Sequence, residues 1–265
     1  MTVSPSARAV QQYATTAANL TARMALHTYR TNPEDWFTFV AARLPAGGDV
    51  LEVGAGTGAL WSRADRSGMR LTLTDFSPAM CERLRAVDGA TVLQCDAAEL
   101  PFPPASFDTL IANHMLYHLD DPRAALAGFA RVLRPGGRIL VAVNGRDHHT
   151  EITALGPAIG RPDLILSAVQ HDVTAETVPR WMARHFDAVT AERYPGAIEV
   201  PSPEPVLAFL ASIAAEPLTA AEEAAARELI EARIAADGVF HIRRHTVLIS
   251  AVRPLTAAGG AFPTP

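Results

Sequence analysis

Residues 50–61 read VLEVGAGTGALW, three glycines within five residues behind an apolar run that contains one acid, Glu52. A short apolar run closing on alternate glycines predicts a strand that turns sharply at its carboxyl end. In an open parallel sheet, that turn is where a ligand lies. Gly54, Gly56 and Gly58 let the chain bend and approach such a ligand without a Cβ in the way, with Ala55 between them.

Outward from this loop, DVLEVG, LTLTD, TVLQCD, FDTLIAN and GRILVAVN are five strand candidates from Asp49 onward, separated by stretches rich in Ala, Arg and Leu. The alternation predicts an α/β fold, a doubly wound, mostly parallel sheet covered by helices. Asn32 with Pro33, Ser77 with Pro78 and Asp121 with Pro122 have the chemistry of helix starts, and RPGG from Arg134 that of a tight turn. Beyond Asn144 the pattern loosens. It recovers in a helix near 174–186, a strand AVTAERY, two helices before residue 239 and a single long strand FHIRRHTVLISAVR.

The 265 residues suit one large domain with insertions. Residues 1–46 are expected to form N-terminal helices contributing to a lid over a domain spanning 47–265. Lid insertions are expected near 145–173 and 200–238, and the Gly- and Pro-rich tail 254–265 is expected to fray. Met24, Trp36, Trp181 and Phe209 are read as packing for the lid, which also includes Tyr13, His27 and Tyr29.

The formal charge is -5, without a long run of one sign, which argues against a nucleic acid or an anionic membrane as partner. Arg243 and Arg244, the nearest approach to a basic patch, are expected on a solvated surface. All 23 residues counted as Lys+Arg are arginine, so P-loop, Schiff-base and kinase-type lysine chemistry is excluded. Cys81 and Cys95 form no CxxC pair and read as small packed hydrophobes, and no secretory apolar region opens the chain. A cytoplasmic protein is expected.

The loop alone does not name its ligand, because Gly54, Gly56 and Ala59 also satisfy the spacing of dinucleotide binders. Glu52 discriminates: a carboxylate there would repel a pyrophosphate and attract a cationic end. Asp75, at the end of the next strand, is placed to accept both hydroxyls of a ribose, and Asp96 to accept from an exocyclic amine such as that of adenine. A cationic amino-acid end, a ribose and an adenine without phosphate together describe S-adenosylmethionine (SAM), whose product is S-adenosylhomocysteine (SAH).

Residues 50–60, Asp75, Asp96 with Ala97, and the stretch 106–143 resemble the successive motifs of class I SAM-dependent methyltransferases, over roughly 49–144. The resemblance implies a seven-stranded sheet of order 3-2-1-4-5-7-6 with strand 7 antiparallel. It also implies backbone at 54–58 against the methionine part, Asp75 on the ribose, Asp96 and Ala97 on the adenine, Phe76 and Met80 flanking the purine, and Asn113 beside the cofactor.

The acceptor site is expected at the end of strand four, in NHMLYH. This stretch departs from the Asn/Asp-Pro-Pro-aromatic pattern of base N-methylating enzymes, so a small-molecule acceptor is favoured. His118 and His114 are the candidate general bases, with His118 preferred. Their spacing lacks the Glu and third ligand of a zinc site, and no metal is expected. Tyr29, Tyr117 and His148 are the candidate acceptor contacts, and His149 is expected in a solvated loop. An RNA or protein methyltransferase, or a SAM-binding protein without methyl transfer, are the alternatives.

Overall fold

The computed structural model describes residues 25–164 and 172–255; Tyr13, Met24 and most of the Gly- and Pro-rich tail lie outside them. The glycine loop follows β1 (Gly48–Val53), whose neighbours are β2 (Met69–Asp75) and β4 (Phe107–Asn113), both parallel to it. β3 (Thr91–Gln94) adds to β2, and β5 (Leu133–Asn144) to β4. β6 (Asp187–Arg193) and β9 (Thr246–Val252) complete the sheet, with β9 antiparallel to both β5 and β6. The order is β3-β2-β1-β4-β5-β9-β6. Setting aside the short strands β7 (Ile198–Val200) and β8 (Phe240–Ile242), which form a separate pair, this is the expected 3-2-1-4-5-7-6.

Burial explains why the strands read as nearly continuous apolar runs. Leu51, Val53, Leu110, Ile139 and Val141 face one layer, where helix Pro122–Val132 packs with Trp181 and Met182. Val50, Leu73, Ile111 and Leu140 face the other, with Phe39, Val40 and Trp61. A sheet covered on both sides leaves few strand positions for water. A third cluster, built on Phe240, Ile242, Phe209, Leu210 and Ile230, joins the small sheet to helices Glu204–Ile213 and Ala220–Asp237.

Three local expectations are corrected. Asn32 does not cap the first described α-helix, Trp36–Ala41: its Oδ1 accepts from Glu34 N in a turn, while Asp35 Oδ1 accepts from Phe37 and Thr38 amides. The RPGG turn lies inside β5, where the register jumps between the Phe107–Leu133 and Thr109–Arg138 pairs. FHIRRHTVLISAVR is two strands, because the segment between Ile242 and Thr246 leaves the ladder. There Arg243 N donates to Glu151 Oε2 and His245 N to His148 Nδ1. Helix starts at Pro78 and Pro122 are as expected, and Asp121 Oδ1 accepts from the amides of Arg123 and Ala124. Among the described residues, no helix is long and apolar enough to cross a membrane.

Candidate active site

Beyond the carboxyl ends of β1, β2 and β4 lies a cavity of about 630 Å³. At one end the loop 54–58 forms its floor. Gly54, Gly56 and Gly58 all have positive φ, from +57° to +73°. A Cβ on Gly54 would stand 2.8 Å from Met115 Cβ, whereas one on Gly56 would meet nothing within 4 Å. Gly54 is required by packing, and Gly56 keeps a cradle open above the chain. Gly58 does not line the cavity; a Cβ there would press on Val87 and Leu84.

Asp75 spans the loop and the next turn. Its Oδ2 accepts from Gly56 N and its Oδ1 from Ser77 N, both at 2.9 Å. Burial raises its pKa, while these amides and that of Phe76 pull the other way. The acid in the opening strand is 2% exposed, and Trp61 Nε1 donates to its Oε2 at 2.5 Å. Burial, with Asp75 nearby, pushes Glu52 up to about 8, against the pull of that indole. Asp96 Oδ1 accepts from Ala98 N at 2.8 Å, and Asp96, Ala97, Phe76 and Met80 line the same end.

The opposite end is bounded by residues 27–37, the segment after β4, and residues around Asn144 and Arg244. His114 and His118 both line it. His114 has φ +56°, an uncommon conformation outside glycine, and its Nδ1 is buried without a partner. Burial, then Arg244, lowers its pKa to about 4. Asn113 Oδ1 accepts from Trp36 Nε1 at 3.0 Å, and Trp36 lies 5.2 Å from the His114 ring. His118 stands edge-on to Tyr117 at 4.5 Å. Asp147, Glu176 and His245 offer a three-ligand cluster, but Asp147 and Glu176 are also engaged by Arg243 and by the amide of Arg146.

Residues 51–141 match the family described as a methyltransferase domain. That match lies within a sheet whose strand order is that of the class I methyltransferase fold. The chain is 38% identical over 136 residues to an uncharacterized methyltransferase of Mycobacterium bovis, covering 51% of this chain and 54% of that one. It is 39% identical over 120 residues to the O-methyltransferase resE of Aspergillus sclerotiorum, covering 42% and 46%. The chain thus spans about half the length of the curated relatives it matches. Among solved structures, phosphoethanolamine N-methyltransferase 2 of Haemonchus contortus, in complex with phosphomonomethylethanolamine and SAH, superposes with a TM-score of 0.57. It is 18% identical and covers 96% of this chain and 61% of that one, a likeness of fold.

The cavity gathers Glu52, Gly54, Ala55, Gly56, Asp75 and Asn113 with the acceptor candidates Tyr117 and His148. Tyr29 is not on its wall and packs against the small-sheet cluster. No residue of 200–238 lines it either; those helices stand behind the wall. His149, expected in solvent, is 2% exposed, stacked on His148 with ring centroids 3.7 Å apart.

The largest correction is Arg244, which is 4% exposed and lines the cavity rather than a solvated surface. The signal was available: from Phe240 the inward residues alternate through Ile242, and the same period carries Arg244 and Thr246 inside. Trp61, Trp36 and Arg30 carry no comparable local pattern, since their roles depend on partners distant in sequence.

Proposed function

We propose that this protein transfers a methyl group from SAM to a nucleophilic O, N or C atom of a small-molecule acceptor. The observation that carries the reading is the convergence of Glu52, Asp75 and Asp96, from the ends of three adjacent strands, on one cavity whose floor is the open cradle at Gly56. Glu52 faces the cationic amino-acid end, Asp75 the ribose, and Asp96 with Ala97 the adenine.

When bound, SAM supplies a methyl already activated by its sulfonium. What the chain adds is placement and dryness: Trp36, Phe37, Met115 and Leu119 wall the remaining space with apolar surface. Orientation in an enclosed site accounts for large rate factors without a strong base. The imidazole of His114, neutral at ordinary pH, accepts a hydrogen bond from an acceptor hydroxyl or amine, and His118 is the candidate to take its proton.

Calorimetric titration with SAM, SAH and NADH, followed by methyl-labelled SAM with candidate acceptors, tests this reading. Binding of the two sulfur nucleotides and not NADH, with label appearing on an acceptor, is the expected result. Binding of NADH alone would overturn it.

A further inference from the structure

The far end of the cavity is electrostatically incomplete. Arg244 is almost fully buried, yet among the described residues its guanidinium faces no carboxylate. Its Nη2 pairs with His27 Nδ1 at 2.9 Å, its guanidinium lies over the Tyr194 ring at 4.6 Å and also hydrogen-bonds that side chain, a neutral partner, and its Nη1 has no hydrogen-bond partner. Arg30, on the same wall, has a buried Nε without a partner, and its terminal nitrogens reach only carbonyls of His27 and Pro33 at 3.5 and 3.4 Å.

The acids on the cavity wall do not answer this charge. Asp35 is committed to Arg63 at 3.1 Å and to its helix amides. Glu52, Asp75 and Asp96 stand at the cofactor end. A buried guanidinium without a counter-charge is costly, as is each unpaired donor. An arginine fork satisfies carboxylate or phosphate oxygens in pairs. Nearby, His27, His114 and His148 add donors or acceptors but no anion, since burial keeps each imidazole from charging.

We propose that this end of the cavity binds the anionic head of the acceptor, a carboxylate or phosphate group held between Arg244 and Arg30. The inference rests on the proposed function, because it assigns the opposite end to the cofactor. The aromatic wall of Trp36, Phe37 and Tyr117 would then cover the body of the same molecule. The head fixes the acceptor in one orientation, so that its nucleophilic atom points back toward the glycine loop.

The test uses the SAH-loaded protein titrated with benzoate, phenyl phosphate, benzamide and benzylamine. Benzoate or phenyl phosphate should bind, benzamide and benzylamine at least about tenfold more weakly, and the tighter anion identifies the head. Arg244→Met and, as a second variant on a less buried side chain, Arg30→Met should each weaken the anion about tenfold or more. SAH affinity should stay within about twofold. Equal binding of benzamide and benzoate, absence of anion binding at about 10 mM, or unaltered anion affinity in both variants would overturn the proposal. If the variants instead lose SAH but keep methylthioadenosine, which lacks the amino-acid end, the arginines serve the cofactor carboxylate and the proposal is wrong. Failure of the wild type to bind SAH at all would count against the proposed function itself.

Discussion

Asp75 Oδ2 accepts the backbone amide of Gly56 at 2.9 Å, tying the end of β2 to the loop that follows β1. The carboxylate therefore shapes the loop as well as facing the cavity. Asp75→Ala should weaken SAM by about 100-fold or more, combining a lost ligand contact with a loosened loop, whereas Asp75→Asn, which keeps one acceptor oxygen, should lose less. Calorimetry on the two variants decides, and Asp75→Ala binding SAM like the wild type would remove Asp75 from the site.

If Glu52 faces the cationic end of SAM as proposed, the Trp61–Glu52 pair should make SAM binding a proton-linked event. With its pKa raised to about 8 by burial, Glu52 is largely protonated near neutrality in the free protein. A cationic group placed against it favours the carboxylate and lowers that pKa. SAM binding at about pH 7 should therefore release close to one proton, seen as a buffer-dependent binding enthalpy. Glu52→Gln should abolish the release and weaken binding; unchanged buffer dependence in that variant would show that the proton comes from elsewhere.

Stability should peak near about pH 6.5, for two opposed reasons. His27, at about 3, and His114, at about 4, are held below their ordinary value by burial first and Arg244 second, and His148 and His149 shift the same way. Below about 6.5 the unfolded chain binds protons that these histidines refuse in the fold, so stability falls with acidification, by up to about 1.4 kcal/mol per unit for each group. Glu52 acts oppositely: its raised pKa stabilises the fold at low pH, and that contribution is lost as pH rises through about 8. Urea unfolding at about pH 5, 6.5 and 8 should show both declines, and Glu52→Gln should flatten the alkaline one and steepen the acid one, because the contribution of Glu52 already changes from its ordinary value upward.

Two glycines should fail differently. Gly54→Ala puts a Cβ 2.8 Å from Met115 Cβ at a φ of +65° and should cost about 2–3 kcal/mol of stability as well as SAM binding. Gly56→Ala has φ +57° but free space around the new methyl. It should cost about 1 kcal/mol while still blocking the cradle. Thermal melts beside SAM titrations separate the two; normal SAM affinity in Gly56→Ala would show that the cradle is not a cofactor seat.

The central sheet was legible because apolar runs punctuated by Gly and Pro encode strands locally, and the gathering of Glu52, Asp75 and Asp96 on one cavity because all three fall at or near strand termini. The opposite end of the cavity was far less so. Asn32 and Asp35 are both plausible caps, and only the three-dimensional path of the chain selects Asp35. Arg243 and Arg244 look alike as a dipeptide, yet one side chain is half-exposed at 52% and the other is buried in the cavity. Trp36 meets Asn113 across 77 residues, a separation that no local pattern reports.

The last described strand, β9, is inserted between β5 and β6 rather than added at an edge. During synthesis β6 therefore waits, without a neighbour in the sheet, until residues near 250 leave the ribosome. Closing so late a non-local pairing is slow and leaves apolar strand surface open in the interval. Arg244 precedes β9 by two positions, so the step that seals the sheet also delivers the guanidinium to the cavity. A nascent chain that stalls before this point has its glycine loop and most of the cavity lining in hand, but lacks β9 and the Arg244 side of the cavity.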